Sequence, residues 1–334
     1  MKKFKRCDLI KENGRYKKII LRFSKARVLV IGDLILDEFL WGDVSRISPE
    51  APVPVVWVRS ESFMPGGAAN VANNIHALGG KVYIAGVIGA DERGRILTQL
   101  LKKKGMDIGS IITDTKRPTT LKTRVIAHHQ QVVRIDKEKM DGLDTELIDQ
   151  LSDRIKKIID DVDAIVIEDY GKGVITARLL EAVLKIAKAR RKIVTVDPKE
   201  DHFHYYKGVT AITPNHHEAA YTSGIKVKDK ESLNNIGKTL LNKLKCEAVL
   251  ITLGENGMQL FEKEGRITHI PTVAQDVFDV SGAGDTVIGT FTLSLAAGAG
   301  MVDAARISNF AAGIVVGKVG ISAVTNEELL TRIK

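Results

Sequence analysis

The sequence predicts an α/β protein: a mostly parallel central sheet covered by helices on both faces, with a small β layer set apart from it. Three observations carry this expectation. Between residues 82 and 270, short apolar runs with strand character alternate with longer stretches of helical period, as βα units do. The 29 glycines among 334 residues and an apolar content of 44% suit the tight turns and full core of such a fold. Two extended segments, 53–60 and 120–135, lack helical period, and Pro52 and Pro54 bar the first of them from the middle of a sheet.

In chain order, Val28-Leu-Val-Ile31 reads as a buried first strand with a polar exit at Gly32-Asp33. A helix over Ala68 to Leu78 and a strand over Val82 to Ile88 follow. Helices are expected near 93–104 and 144–160, a strand at 164–168, a helix at 176–190, and strands at 192–197 and 209–213. Helices at 215–222 and 230–244 then precede a strand at 247–252, two more strands occupy 257–262 and 266–270, and helices near 284–297, 302–317 and 325–333 close the chain. The expected organisation is a basic N-terminal extension over 1–26 and one domain over 27–334, with the small β layer within about 44–62 and 118–136.

The net charge of +9 comes from one place. Residues 1–27 hold eleven Lys/Arg and two acids, whereas the remaining 307 residues hold 39 basic and 39 acidic groups. The body is therefore not a basic nucleic-acid binder, and the tail reads as a solvated, partly helical extension. Its charges are followed by no apolar stretch of the kind that makes a secretory signal. No apolar run approaches the roughly 20 residues of a membrane span. Cys7 and Cys246 lie far apart and form no CxxC pair, which fits a reducing cytoplasm.

Function is most legible in Asp279-Val-Ser-Gly-Ala-Gly-Asp-Thr286. Gly282, Ala283 and Gly284 stand directly before Asp285 and an apolar helical run, so backbone N–H groups can converge on an anion where the helix dipole favours one. A carboxylate there would repel phosphate unless its task is to take a proton from a hydroxyl attacking that phosphate. Alone, the segment also fits a Gly-rich helix start capped by Asp. Ligands of parallel sheets bind beyond the carboxyl ends of the strands. Five polar segments fall there: Gly32-Asp33, Glu168-Asp-Tyr-Gly-Lys-Gly173, Asp197-Pro-Lys199, Thr213-Pro-Asn215 and Thr252-Leu-Gly-Glu-Asn-Gly257.

Pro65-Gly-Gly-Ala-Ala-Asn-Val-Ala-Asn73 puts two glycines before a helix with Asn70 in its first turn, either a close approach to ligand hydroxyls or a tight turn with a cap. Asn215-His-His-Glu218 opens another helix; Glu218 can hold hydrated Mg²⁺ near phosphates, or the pair is a simple capping box. The paired histidines 128/129 and 216/217, and His202/His204, match no zinc spacing and read as surface or loop residues. A P-loop ATPase is disfavoured, since Gly313-Ile-Val-Val-Gly-Lys318 is one residue short of GxxxxGK and lacks the hydroxyl; GxGxxG is absent too.

With Pro65–Asn73 early and Asp279–Asp285 late, residues 27–333 resemble the ribokinase-like (PfkB) family of sugar kinases. Arg46-Ile-Ser-Pro-Glu-Ala-Pro-Val-Pro-Val55, Arg117-Pro-Thr-Thr, Asp169-Tyr-Gly-Lys-Gly173, Asp197-Pro-Lys199 and Gly313–Lys318 narrow the resemblance to the kinase half of bacterial ADP-heptose synthases. Ser281 where Thr is frequent and Gly171 where Ala is frequent are small departures. The resemblance implies a ribokinase-like αβα sandwich with a β lid, a homodimer paired through that lid, and ATP-dependent phosphorylation of D-glycero-β-D-manno-heptose 7-phosphate at O1. The chain ends at Lys334, so a kinase without the nucleotidyltransferase half is expected.

The same resemblance implies roles. Asp285 is the base, and the N–H groups of Gly282, Ala283 and Gly284 stabilise phosphoryl charge. Asn215 and Glu218 organise phosphate and Mg²⁺. Thr252, Gly254 and Gly257 line the nucleotide site, with Asn309 and Gly313 near the adenine. Asp33, Gly66, Gly67 and Asn70 hold sugar hydroxyls, and Asp279 marks a monovalent-cation site suited to K⁺. The substrate's own phosphate needs cations, for which Lys172, Lys199, Arg124 and Arg134 are the candidates.

Overall fold

The computed structural model describes residues 6–333 apart from 129, 275, 319 and 321, with side chains described from residue 12 onward; His129 and the Cys7 side chain lie outside that set. Helix α1 (Arg6–Ile20) leads into β1 (Arg27–Gly32), and the chain then leaves the main sheet for β2 (Leu34–Ile47) and β3 (Pro54–Gly67) before returning through α2 (Ala68–Ala77). Next come β4 (Lys81–Gly89), α3 (Glu92–Lys103), β5 (Asp107–Asp114), β6 (Thr120–Ala127), β7 (Gln130–Lys137) and α4 (Thr145–Ile158). The βα alternation continues with β8 (Ala164–Glu168), α5 (Ala177–Ala189), β9 (Ile193–Asp197), β10 (Ala211–Ile212), α6 (His216–Ser223), α7 (Lys230–Leu244) and β11 (Ala248–Thr252). Strands β12 (Met258–Glu262) and β13 (Ile267–Ile270) precede α8 (Ala283–Ala296), α9 (Met301–Val315) and α10 (Asn326–Arg332).

The main sheet has nine strands in the order β13-β12-β11-β10-β9-β8-β1-β4-β5. It is parallel from β11 to β5, and β12 pairs antiparallel with β11 on one side and β13 on the other. The two-residue period of β1 sorts the core. Leu29 and Ile31 pack with residues of α4, α5 and α7 on one face, whereas Val28 and Val30 pack with α2, α8 and α9 on the other. Helix α8 is buried from Asp285 to Leu295, so its hydroxyls need internal partners. Thr292 Oγ1 donates to Ile288 O (2.8 Å) and Ser294 Oγ to Thr290 O (2.7 Å), which satisfies these two within the helix, whereas Thr290 Oγ1 has no partner.

The second sheet, order β3-β2-β6-β7, is the lid. Strands β2 and β6 are parallel and the outer pairs antiparallel. It starts ten residues earlier than the expected bound of 44, because Leu34–Phe39 is buried on both faces and shows no alternation to read. β5 was not expected either; it is an edge strand whose Gly109 and Ser110 dilute the strand signal.

The N-terminal extension also differs from the expected solvated tail. Tyr16, Ile19, Ile20 and Phe23 are buried in the core face that holds α9 and α10. Arg306 Nη1 donates to Glu12 Oε1 (2.7 Å) and to the Tyr16 hydroxyl (3.0 Å), and Arg15 pairs with Asp303 at 2.7 Å. The charges that dominate the composition of this segment conceal an apolar face at helical spacing.

Candidate active site

Gly282 caps α8 at φ 76°, a left-handed conformation that favours glycine, and the turn it makes delivers Asp285 to the buried first turn of the helix. Asn70 Nδ2, from the first turn of α2, donates to Asp285 Oδ2 at 2.6 Å, and the Tyr170 hydroxyl, from the loop after β8, donates to Oδ1 at 3.0 Å. Burial pushes the Asp285 carboxyl above its ordinary value; the Asn70 and Tyr170 hydrogen bonds restrain that rise, and the Asp37 charge adds to it. Tyr170 stays a donor, because the Asp285 charge and burial hold its phenol well above the usual range. Asn70 Oδ1 is buried without a partner, an acceptor left open beside the base.

The glycines of the early motif are required by close approach. A Cβ on Gly66 would stand 2.1 Å from Asp37 Oδ2, and Gly67, at φ 54°, brings its backbone against Asp33 O. Asp33 is held by backbone donors. Its Oδ2 accepts from the N–H groups of Tyr170 (2.9 Å) and Lys172 (3.0 Å), and its Oδ1 from Val174 N–H (3.1 Å). Burial raises its carboxyl to about 6 against these bonds. Asp33 is thus the clasp that sets the Tyr170–Val174 loop, and the sugar contact expected of it would have to be made beside these three bonds. Asp37, which the sequence reading passed over, is the buried lid carboxylate on Gly66, ion-paired with Arg124. Its spacing, four residues past Asp33 in an apolar strand, was the available signal.

Three carboxylates meet beneath the glycine turn. Oxygens of Glu168, Asp197 and Asp285 all lie within 4.8 Å of one another. Glu168, at the end of β8, is buried with its carboxyl against that of Asp197, with which it shares a hydrogen bond, and Asp197, at the end of β9, also accepts from Thr213 Oγ1 at 3.0 Å. Burial first holds both carboxyls well above their ordinary values; the Asp197 and Asp285 charges add to the rise at Glu168, and the Glu218 and Asp285 charges to that at Asp197, where hydrogen bonds from Thr213 and Glu168 restrain it. Asp197 Oδ2 is 3.9 Å from where a Cβ of Gly284 would stand, so the acids border the anion turn directly. An all-oxygen set of this kind suits a hard divalent cation such as Mg²⁺. Of the three N–H groups expected to hold phosphoryl charge, that of Ala283 is engaged, donating to Val280 O at 3.2 Å.

Asn215 and Glu218 form a complete capping box: Asn215 Oδ1 accepts from His217 and Glu218 N–H, and Glu218 Oε2 accepts from Asn215 N–H at 2.8 Å. The same Glu218 faces the acids electrostatically, since its charge is among the causes that raise Asp197. Thr252, Gly254, Gly257, Asn309 and Gly313 line a single cavity of about 520 Å³ together with Ala283 and Gly284. Gly257, at φ 81°, has Ile270 O 2.2 Å from its Cβ direction, and Asn309 Nδ2 donates to Pro271 O at 2.8 Å, which fixes the cavity wall. A larger depression of about 650 Å³, lined by Phe203, Tyr221 and Leu240 among others, holds none of the site residues. Asp279, next in sequence to the lining residue Val280, accepts from Ser281 N–H through Oδ1 at 2.8 Å.

The four candidate cations separate. Lys172 Nζ lies 2.6 Å from Glu138 Oε1; Arg124 sits on Asp37 with its guanidinium 5.3 Å from the Phe39 ring; Arg134 pairs with Asp136 at 2.9 Å. These three belong to the lid side. Lys199 does not: its stem packs past Gly171, and its charge lowers Glu218, which puts it on the side of the acids. His202 also departs from a plain surface residue, with Nδ1 2.8 Å from the buried Asp169 carboxylate that Tyr206 also donates to.

The chain matches the pfkB family of carbohydrate kinases over residues 25–328. It belongs to that family. This PfkB kinase is 47% identical over 302 residues to the bifunctional protein HldE of Geobacter sulfurreducens, covering 90% of this chain and 62% of that protein. It is 43% identical over 313 residues to the bifunctional protein HldE of Helicobacter hepaticus, covering 94% and 65%. The chain thus spans somewhat under two thirds of the length of these relatives. Among solved structures, phosphofructokinase-2 from Escherichia coli in complex with potassium superposes with a TM-score of 0.75 at 18% identity, covering 92% of this chain and 97% of that one. The Arabidopsis thaliana ribokinase complexed with ribose and ATP does so with 0.72 at 18% identity, covering 92% and 98%. Both show the ribokinase-like fold of this PfkB kinase, the αβα sandwich with its mostly parallel sheet.

Proposed function

We propose that the chain transfers the γ-phosphoryl group of ATP to O1 of D-glycero-β-D-manno-heptose 7-phosphate, giving the 1,7-bisphosphate in ADP-heptose and lipopolysaccharide-core synthesis. The observation that carries the chemistry is the buried Asp285, raised by burial and held by Asn70 and Tyr170 at the head of the Gly282–Gly284 turn. Asp285 accepts the proton of the attacking hydroxyl, and a carboxyl raised toward neutrality is the better base for that step. Asn70 Oδ1 and Asp37 orient sugar hydroxyls, and Gly66 and Gly67 let the ring approach the backbone. The adenine and ribose of ATP occupy the cavity of Thr252, Gly254, Gly257, Asn309 and Gly313. Glu218, Asp197 and Glu168 would hold Mg²⁺, which when bound neutralises phosphate charge. Asp279 is the proposed anchor of a monovalent cation such as K⁺.

The heptose assignment rests on the similarity to the HldE proteins and on the cations gathered under the lid. Lid residues Trp41, Trp57, Ile47 and Val53 expose apolar surface, which supports pairing of two subunits through the lid. A cytoplasmic enzyme is in keeping with a nucleotide substrate; among the described residues no helix is long and apolar enough to cross a membrane. The body's balanced charge supports a small-molecule partner and no nucleic acid. The test is a coupled ADP-release assay on β- and α-heptose 7-phosphates, with fructose 6-phosphate and ribose as controls. Turnover confined to ribose or fructose 6-phosphate would replace heptose by another sugar.

A further inference from the structure

Between lid and core stands a carboxylate with an oxygen to spare. Glu138, the first residue after β7, points Oε1 at Lys172 Nζ (2.6 Å) and Oε2 toward Lys122 Nζ (3.8 Å). Oε2 is buried and has no hydrogen-bond partner. The Lys122, Lys172 and Glu138 side chains are 14%, 13% and 18% exposed, so these charges are mostly out of water, where a half-satisfied carboxylate is costly. Lys122 comes from β6 in the lid and Lys172 from the loop after β8 in the core; the ammonium groups form a two-pronged fork in which Lys122 donates to Asp136 Oδ2 (3.2 Å) and Glu138 Oε2 stays beyond hydrogen-bond distance of it.

The fork faces the same cleft as the base. Lys172 is two residues past Tyr170, whose hydroxyl bonds Asp285, and its N–H is fixed on Asp33. Lys122 lies opposite Asp37 in the β2–β6 register, and its charge acts on that carboxyl. Around the fork, Lys122, Arg124, Arg134 and Lys172 face Asp37, Asp136 and Glu138. With Glu138 withdrawn, four cations would face two carboxylates, an excess that matches a phosphate monoester dianion. Such a group also has oxygens enough for both ammonium ions, which Glu138 has not achieved. Residues 138–144 carry no regular secondary structure, so the carboxylate can leave without breaking a strand or helix.

We infer that Lys122 and Lys172 are the binding fork for the phosphate already present on the sugar substrate, and that Glu138 occupies this fork until the phosphate displaces it. The inference rests on the reading of the substrate as a phosphorylated sugar and names the residues that read its phosphate. Glu138 thereby favours phosphorylated sugars: a sugar without a phosphate leaves the carboxylate in place and gains nothing from the fork.

The experiment is a calorimetric titration of inorganic phosphate into the full chain, saturated with a non-hydrolysable ATP analogue so that the nucleotide phosphate sites are filled. Glu138→Gln, nearly isosteric, should tighten phosphate binding about three- to tenfold, since the competitor for the fork is gone. Lys122→Met and Lys172→Met should each weaken it by roughly tenfold to 150-fold, the loss of one charged hydrogen bond. The KM for the phosphorylated sugar should move in the same directions and the KM for ATP by less than twofold. Phosphate affinity that is unchanged or weaker in Glu138→Gln overturns the inference and leaves Glu138 as a tie between lid and core. Because the titration contains no sugar, it reads the fork even if heptose 7-phosphate proves not to be the substrate; that separate failure appears only in the substrate panel.

Discussion

Asp285→Asn separates the role of base from every other role the residue could have. The amide keeps the size of the carboxyl, and both of its hydrogen bonds can be conserved: its oxygen can accept from Asn70 Nδ2, and its nitrogen can donate to the Tyr170 oxygen, which reverses roles. The stability effect has a definite sign. Burial raises the folded-state pKa of Asp285 above its unfolded value, so the ionised group costs stability once the pH exceeds both. The neutral amide should therefore leave Tm at pH 7 equal or higher. Turnover should fall by at least about 100-fold, the lower end of the roughly 10²–10⁴ that a positioned base contributes. Steady-state ADP release, thermal melting and nucleotide titration on one preparation give the three readings. Turnover within tenfold of the parent enzyme would remove Asp285 from the role of base; a fall in turnover together with a large fall in Tm would make its role structural.

The remaining expectations follow from the same geometry. The acid limb of kcat/KM should lie above the ordinary carboxylate range, with activity lost as the pH falls through the raised Asp285 pKa, and Tyr170→Phe should move that limb upward because a donor to the charged form is gone; a pH–rate profile of both enzymes checks this. Lys172→Met should raise the KM for sugar phosphate by roughly tenfold or more with little change for ATP, whereas Lys199→Met, on the side of Glu218, should act on the KM for ATP; equal effects of the two on one substrate would contradict their separation. Removing residues 1–26 should abolish folding or lower Tm severely, since Tyr16, Ile19, Ile20 and Phe23 are buried at about 1.5–3 kcal/mol each against a typical total of about 5–15, while removing 1–11 should leave melting and turnover near normal.

The strand ends were legible because parallel topology makes their meeting a matter of register rather than of side-chain detail. β8 pairs with β1 and β9 so that Gly32, Glu168 and Asp197 line up across three strands, and each polar exit follows at the same height. The segments noted one by one in the sequence are then linked: Asp33 to the 170–174 loop, Thr213 to Asp197, and Asn215 to Thr252 by an isolated bridge. The glycine turn was legible for a different reason: a left-handed cap before a buried helix constrains residue type locally, whatever the remainder of the fold does.

What stayed hidden depends on pairings that local pattern does not encode. Tyr170 reaches Asp285 across 115 residues, and nothing within its own segment distinguishes it from a core tyrosine. Asp37 and Lys122 acquire meaning only through the β2–β6 register, a parallel pairing between segments separated by β3, α2, β4, α3 and β5. Asp33 was assigned to the sugar because a carboxylate at a strand end resembles a ligand group. Its three backbone donors come from a loop whose path depends on β8 lying beside β1, so the clasp is a product of the assembled sheet. The cations divide by the same logic. Composition marks Lys172 and Lys199 as equivalent strand-end lysines, yet Lys172 extends to the lid-side Glu138, whereas the Lys199 stem packs past Gly171 and its charge is felt at Glu218. A residue type at a strand end therefore predicts membership in the site, but its role is set by which neighbour has already taken its hydrogen bonds. At the site, Asn70 Oδ1 and Glu138 Oε2 are among the buried polar atoms that the fold has left short of hydrogen-bond partners, and so are open to a ligand.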